Sequence, residues 1–313
     1  MQKSKCKKTT IGGQALIEGI VMKGPDKTAT VIRKGDGSHV VREEKHIPLA
    51  KKCFLFGLPF IRGIFVFASS IYVGVRQIMF SASEADIEEE EKPSKFDKWV
   101  EDKIGSDRAE KIIFGISLVL GIALPVFLFI LLPTLLSSLF KFRAGLAWLR
   151  SALESVIRIA VFILFIYITS KQKDMKRVYA YHGAEHKAIH CYEAGEELTV
   201  ENVRRYSRKH ARCGTSFLFT VILVSIIVFS FVSVENAWAR TLMRLVLLPV
   251  VVNLSYEFNR IIGKYDNALT LALRSPGLAL QSLTTNEPDD DMISVAIDAL
   301  KRVIPENEGD DKW

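Results

Sequence analysis

Three of the six histidines of this chain fall within Tyr181-His182-Gly183-Ala184-Glu185-His186-Lys187-Ala188-Ile189-His190-Cys191-Tyr192-Glu193. On a helix, His182 and His186 stand at i and i+4 and share a face, and His190 extends the row by one turn. Two histidines one turn apart form a clamp for Zn2+ or a similar divalent cation. Glu185 beside them has the chemistry of a further ligand or of a general base. The order His-x-x-Glu-His over residues 182–186 also matches the inverted zinc-protease motif. In that reading His182 and His186 hold zinc, Glu185 is the catalytic base, and another ligand must come from elsewhere. Glu257 and Glu18 are candidates. The plain alternative is a surface helix with solvated histidines, and Gly183 inside the motif weakens a helix.

A second cluster, His210-Ala211-Arg212-Cys213-Gly214-Thr215, precedes a long apolar run. His210 and Cys213 carry ligand chemistry, while Arg212 suits a phosphate, a carboxylate or a membrane anchor. The expected metal set is therefore His182, His186, His190, Cys213, Glu18 and Glu257, with Glu185 catalytic and a divalent metal such as zinc as cofactor. The cysteines are Cys6, Cys53, Cys191 and Cys213. Disulfides are not expected in a cytoplasmic setting, so metal ligation or inert packing remains for them.

The elements that must position these residues are mostly apolar. The chain has 313 residues, 49% of them hydrophobic and 25% charged, with a mean hydropathy of +0.19. Its charge lies in blocks between uncharged runs, the pattern of a membrane chain. Ile112–Phe140 has no charged residue over 29 positions, although Pro125 and Pro133 predict a kink. Further spans are predicted from near Ala152 to Ser170, over Thr215–Val234, and over Leu245–Tyr256, the last extended towards Thr241 but interrupted by Arg244. Within Phe54–Phe80, Arg62 and Arg76 bracket only 13 uncharged residues, which reads as an interfacial or re-entrant helix or as a core helix under the bundle. No apolar stretch follows the basic start MQKSKCKKTT as a signal peptide requires, so the first membrane helix is expected to act as its own signal.

Basic residues set the orientation. Residues 1–53 carry 12 Lys/Arg against 5 acids, and residues 170–215 carry 10 against 6. Both segments and the C-terminal tail then lie on the cytoplasmic side of a bacterial inner membrane. Lys141, Arg143 and Arg150 in the outer connection argue against this mildly. A crossing by Phe54–Phe80 would move residues 1–53 outside, against their charge. The +7 net charge does not point to nucleic acid, because no aromatic-basic interleaving accompanies it.

The fold class expected is mainly α: a polytopic helical membrane protein with about four transmembrane helices, one interfacial or re-entrant helix and a small N-terminal β-hairpin region on the cytoplasmic side. Residues 1–53 hold a glycine-rich opening and a hairpin, with Thr28–Lys34 and Ser38–Glu44 flanking Gly35-Asp36-Gly37. The glycines between Ile11 and Gly19 read as close backbone approaches or as ordinary turns. Residues 54–83 are the interfacial segment, and residues 84–111 form an acidic solvated linker with 11 acids to 6 bases. The bundle covers 112–258, with a His-rich cytoplasmic insertion at 171–214 in which Thr199 caps a short helix. Residues 259–313 form the tail, where Ile293, Ile297, Leu300 and Ile304 mark an amphipathic helix.

Several of these stretches resemble the bacterial YqhQ-like membrane protein family. They are Ile11–Pro25, His182–Lys187, Leu198–Val203, Arg212–Phe217, Ser255–Glu257 and Gln281–Asp290. One departure is Ala211, where relatives carry proline. The resemblance implies a bacterial membrane protein, and such proteins are often labelled predicted metal-dependent enzymes. The leading expectation is a metal-dependent enzyme, a hydrolase, acting at the cytoplasmic membrane face. The other is a non-enzymatic scaffold or transporter that binds an ion or partner through the same cluster. Partners expected are the lipid bilayer, a lipid-linked or peptide substrate, and, as an option, further copies of the chain in a homo-oligomer.

Overall fold

The computed structural model describes residues 7–47, 53–85, 112, 115–116, 119–121, 123–140, 147–232, 234, 236–307 and 309–312. Cys6 and nearly all of the acidic linker 84–111 lie outside them. The chain divides into two compact units. The first comprises Met1–Asp86, Phe165–Ser225 and Leu248–Trp313, and the second Ile87–Leu164 and Ile226–Leu247.

The first unit opens with a four-stranded antiparallel meander: β1 (Gly12–Leu16), β2 (Gly19–Lys23), β3 (Lys27–Arg33) and β4 (His39–Lys45). The hairpin expected around Asp36-Gly37 forms, with Arg33 opposite His39 and Val31 opposite Val41. The glycine-rich opening is a second hairpin, in which Leu16 faces Gly19 across Ile17 and Glu18. Alternation is absent there because Gly19, Ile20, Val21 and Met22 of β2 are all buried. A strand covered on both faces reads as a continuous apolar run.

The helices are α1 (Arg62–Glu84), α2 (Leu132–Ser138), α3 (Ala147–Lys171), α4 (Lys173–Ala194), α5 (Val200–Arg204), α6 (Gly214–Ser230), α7 (Ala237–Lys264), α8 (Ala268–Thr284) and α9 (Asp290–Val303). The amphipathic C-terminal helix α9 buries Ile293, Ala296, Leu300 and Val303 against β2, β3 and α4. Asp289 caps it by accepting from the Met292 amide at 2.8 Å. Asp290 and Asp291 in its first turn and Lys301 and Arg302 in its last complement the helix dipole. The tail is thus part of the core that frames α4. In α5, the Thr199 side chain accepts from the Asn202 amide, as its cap position predicts.

Among the described residues, four helices are long and apolar enough to cross a membrane: Arg62–Glu84, Val119–Ser138, Trp148–Lys171 and Ala237–Lys264. Three overlap predicted spans. The fourth, α1, is the Phe54–Phe80 segment drawn out to 23 continuous residues. Its far half is tied to the sheet: Thr30 Oγ1 donates to Gln77 Oε1 at 2.8 Å, and Ser81 Oγ accepts from the Ile17 amide. The predicted span Thr215–Val234 is the shorter α6, of 17 residues, which ends in a turn at Phe231.

Within the second unit, Pro133 has no amide proton for the Phe129 carbonyl one turn before it, and Phe127–Leu131 widens into a π-helical turn. Arg158 Nε takes up that carbonyl at 2.9 Å. The start of α7 runs through Arg240 and Arg244 without breaking. Both guanidinium groups are buried and pair with Glu154, so charge in the sequence did not end the helix.

Candidate metal centre

Helix α4 is polar in composition yet buries Tyr181, Ala184, Glu185, His186, Ala188 and Ile189. It can do so because β1, β2 and α9 cover it. Gly183 allows one of these contacts. A Cβ there would collide with the Asn286 carbonyl oxygen, so this glycine admits the backbone of residues 284–288 against the helix. Asn286 donates its amide to the Tyr179 carbonyl at 2.8 Å.

That close approach orients the first histidine. His182 Nδ1 lies 2.8 Å from the Thr284 carbonyl oxygen. His186 Nδ1 lies 2.6 Å from the Arg208 carbonyl oxygen. A carbonyl only accepts, so both Nδ1 atoms carry protons and both Nε2 atoms are turned to the same place. Cys213, one residue before α6, meets them there. His182 Nε2 is 3.1 Å from Cys213 Sγ, and ligand atoms of His182, His186 and Cys213 all lie within 4.8 Å of one another. Zinc ligated by nitrogen and sulfur at ordinary lengths needs ligand atoms about 3.3–3.8 Å apart.

The electrostatics couple the thiol to the two imidazoles. Burial disfavours charge on Cys213, but His182 and His186 hold its thiol well below the ordinary value. Burial likewise opposes charge on His182, and the Cys213 sulfur outweighs it, raising the imidazole to about 9. Glu185 is buried next to them. Its Oε1 accepts from the Gly13 amide at 2.9 Å, and its Oε2 has no hydrogen-bond partner among the described residues. Burial pushes its carboxyl up, against the pull of His186 and His182. Gly13 is close for a reason: a Cβ would lie 2.6 Å from the Val21 carbonyl oxygen and 3.1 Å from Glu185 Cδ.

The other expected ligands are placed differently. His190 lies with Glu193 and His210, a second group whose ligand atoms fall within 4.8 Å of one another. This group already holds a cation, because Arg212 pairs with Glu193, whose Oε1 also accepts from the Thr9 amide at 2.8 Å. His190 Nε2 bonds the Lys209 carbonyl at 2.9 Å. Burial drives His210 down to about 4, despite Glu193, so it is neutral. This cluster is a support that locks the 208–213 segment in place. Glu18, at φ 50° in the β1–β2 turn, is held by Arg177 at 2.6 Å and by the Tyr181 hydroxyl at 3.2 Å. Glu257 is held by Arg62 at 2.6 Å. Neither belongs to either histidine group.

Sequence reasoning did not single out Gln281 or Thr284. Gln281 is fully buried, accepts from the His210 amide at 2.8 Å and donates to the His210 carbonyl at 2.8 Å. Both residues lie within Gln281–Asp290, one of the stretches that carry the family resemblance, but neither has a role assigned by it. Thr284 acts through its carbonyl, which no side-chain type announces.

The fold and site define a mainly helical chain with four candidate membrane spans, an N-terminal antiparallel sheet and a buried histidine–cysteine cluster. The chain belongs to the family described as "Protein of unknown function (DUF1385)", whose model matches residues 58–306. It is 34% identical over 296 residues to "Uncharacterized protein YqhQ" of Bacillus subtilis (strain 168), covering 94% of this chain and 92% of that one. No solved structure matches it.

Proposed function

We propose that the protein is a metal-dependent membrane hydrolase whose centre consists of His182, His186 and Cys213, with Glu185 as general base. One observation carries this reading. Two histidines spend Nδ1 on backbone carbonyls and turn Nε2 towards one sulfur. Fixing the ring through its other nitrogen is the outer-shell arrangement typical of metal-ligating histidine. His182, His186 and Cys213 would hold the ion, a ligand number that matches catalytic zinc sites. A bound divalent cation, zinc by the mixed nitrogen–sulfur set, supplies Lewis-acid polarisation of a carbonyl or phosphoryl oxygen. Glu185 offers the unpartnered Oε2 to take a proton from the attacking water, while Gly13 holds the other oxygen. The basic segments 1–53 and 170–215 support a multi-pass inner-membrane location with both termini cytoplasmic. Helix α1 is read as interfacial, because its polar residues engage the sheet. A lipid-linked or peptide substrate at that surface suits the location.

The test is metal content. Full-length protein purified in detergent without chelator should hold about one zinc per chain, and His182→Ala, His186→Ala and Cys213→Ser should each lose it. Absence of metal from folded wild-type protein overturns the proposal. The 3.1 Å contact between His182 Nε2 and Cys213 Sγ also favours a second reading, a thiolate nucleophile paired with an imidazolium. Rapid alkylation of Cys213 in metal-free wild-type protein, abolished by His182→Ala, would select that alternative.

A further inference from the structure

Helix α8 of the first unit reverses the amphipathic pattern of a helix in water. Its inward stripe is Thr270, Arg274, Gly277, Gln281 and Thr284, polar residues and one glycine at helical spacing, all of them buried. Its outward face carries Leu269, Leu271 and Leu273, at 68%, 54% and 42% exposure. The single charge between Ala268 and Thr284, Arg274, turns inward, where it bonds the Tyr265 carbonyl and pairs with Asp266 at 2.7 Å. A helix whose outer face meets water does the opposite, with its charges outside and its leucines against the core. An exposed apolar face with no charge on it marks a membrane or a partner.

Both ends of α8 return to the same polar layer. Just before it, Asp266 pairs with Lys8 at 2.6 Å. The residues on either side of Lys8 bond Glu193: the Lys7 amide donates to its carbonyl at 3.0 Å and the Thr9 amide to its carboxylate at 2.8 Å. Near the other end, Gln281 bonds the His210 backbone, and the His210 ring lies 3.4 Å from the same carboxylate. In between, Gly277 packs on Ser216 in the first turn of α6. Helix α6 is uncharged, exposes Leu218, and is joined to the candidate span α7 by Thr220 and Asn259 at 3.3 Å. The leucine face of α8 therefore continues the apolar surface of a candidate span. At 17 residues α8 is about 25 Å long, and with both ends tied to the layer around Glu193 it lies along that layer. We propose that α8 is an in-plane membrane-surface helix whose leucine face lies in the hydrocarbon of the bilayer. Lys264 and Asp266 before it and Glu287 and Asp289 after it are the charges that meet the headgroups. The opposite face of the same helix bonds His210 and ends at the Thr284 carbonyl that aims His182, so the histidine centre is seated at the membrane surface. This placement rests on the membrane location of the chain and not on its metal chemistry.

The test is photo-crosslinking of the full-length protein in phosphatidylcholine vesicles. A p-benzoylphenylalanine is placed singly at Ala272 or at Ala279, both exposed and two turns apart on one side of α8. Mass spectrometry should find phospholipid adducts at both positions, attached to the same part of the acyl chain. The same group at Glu201, exposed on α5, should give none. Leu124, in the candidate span Val119–Ser138, is the membrane reference. Adducts at Leu124 but not on α8 overturn the placement of α8 alone, and absence at all three positions overturns the membrane location with it. Crosslinks from α8 to protein would show that a partner covers this face, and attachment near opposite ends of the acyl chain would show that α8 crosses the bilayer. Either result overturns the proposal.

Discussion

Replacing Gly183 with alanine sets local propensity against tertiary packing. In a helix interior, glycine to alanine gains about 1 kcal/mol. Here the new methyl would sit on the Asn286 carbonyl oxygen and near Pro288. Relief requires residues 284–288 to withdraw by about 1.4 Å, since non-bonded heavy atoms settle near 3.5 Å. That shift stretches two bonds of 2.8 Å, Asn286 N–H to the Tyr179 carbonyl and His182 Nδ1–H to the Thr284 carbonyl, beyond useful length. Two lost bonds cost about 2 kcal/mol, and overpacking adds about 1–3 kcal/mol. Set against the helix gain, the net loss is about 2–4 kcal/mol. Freeing the His182 ring should also weaken metal binding about 10–100-fold, as loss of outer-shell partners does. Denaturant melts in detergent and competition for zinc with a chromophoric chelator read both numbers. Gly12→Ala is the control, because its Cβ would meet nothing within 4 Å. A Gly183→Ala protein as stable as wild type, with unchanged zinc affinity, would show that the 284–288 backbone does not orient His182.

Three further outcomes are expected. Glu185→Gln keeps the bond from Gly13 and removes a buried carboxyl with one unpartnered oxygen, so stability and metal content should hold while hydrolysis of ester, amide and phosphoester probes is lost. Gln281→Leu strands the His210 amide and carbonyl, costing about 2–4 kcal/mol by denaturant melt; a loss below about 1 kcal/mol would show that other groups fix the 208–213 segment. Asp311 is fully buried, paired with Lys7 at 2.8 Å and bonded by Thr9 and Tyr192. Burial opposes its charge, but Lys7, Thr9 and Tyr192 hold its carboxyl below the ordinary value. A depressed folded value contributes stability that is complete above the unfolded pKa of about 3.9 and is lost as pH falls through the folded one. Asp311→Asn should therefore flatten the acid limb of the stability profile below about pH 5, and an unchanged limb would contradict the contact.

Much of this architecture was legible because it is local. The Asp36-Gly37 turn with alternating neighbours produced the β3–β4 hairpin in the expected place. The helical spacing of Ile293, Ile297 and Leu300 produced α9. The apolar runs after Ile112, Ala152 and Leu245 coincide with three of the four helices long enough to cross a membrane. The β1–β2 hairpin was hidden by glycine and by burial on both faces. Counting charges undersized α1 and α7, because Arg76, Arg240 and Arg244 all have carboxylate partners within the fold. Two basic residues in a span read as a break only until their partner is known.

The sequence by itself determined the histidine row and the shared face of His182 and His186, since helical periodicity relates neighbours one turn apart. It also supplied Cys213 as a candidate without saying whether it arrives. Only the tertiary structure decided that Cys213 meets both imidazoles, that His190 turns to a different group with Glu193 and His210, and that Glu18 and Glu257 are held by Arg177 and Arg62. The physical reason is the origin of the orienting forces. The rings are aimed by the carbonyls of Thr284 and Arg208. Every residue has a carbonyl, so only the fold determines which ones reach a histidine.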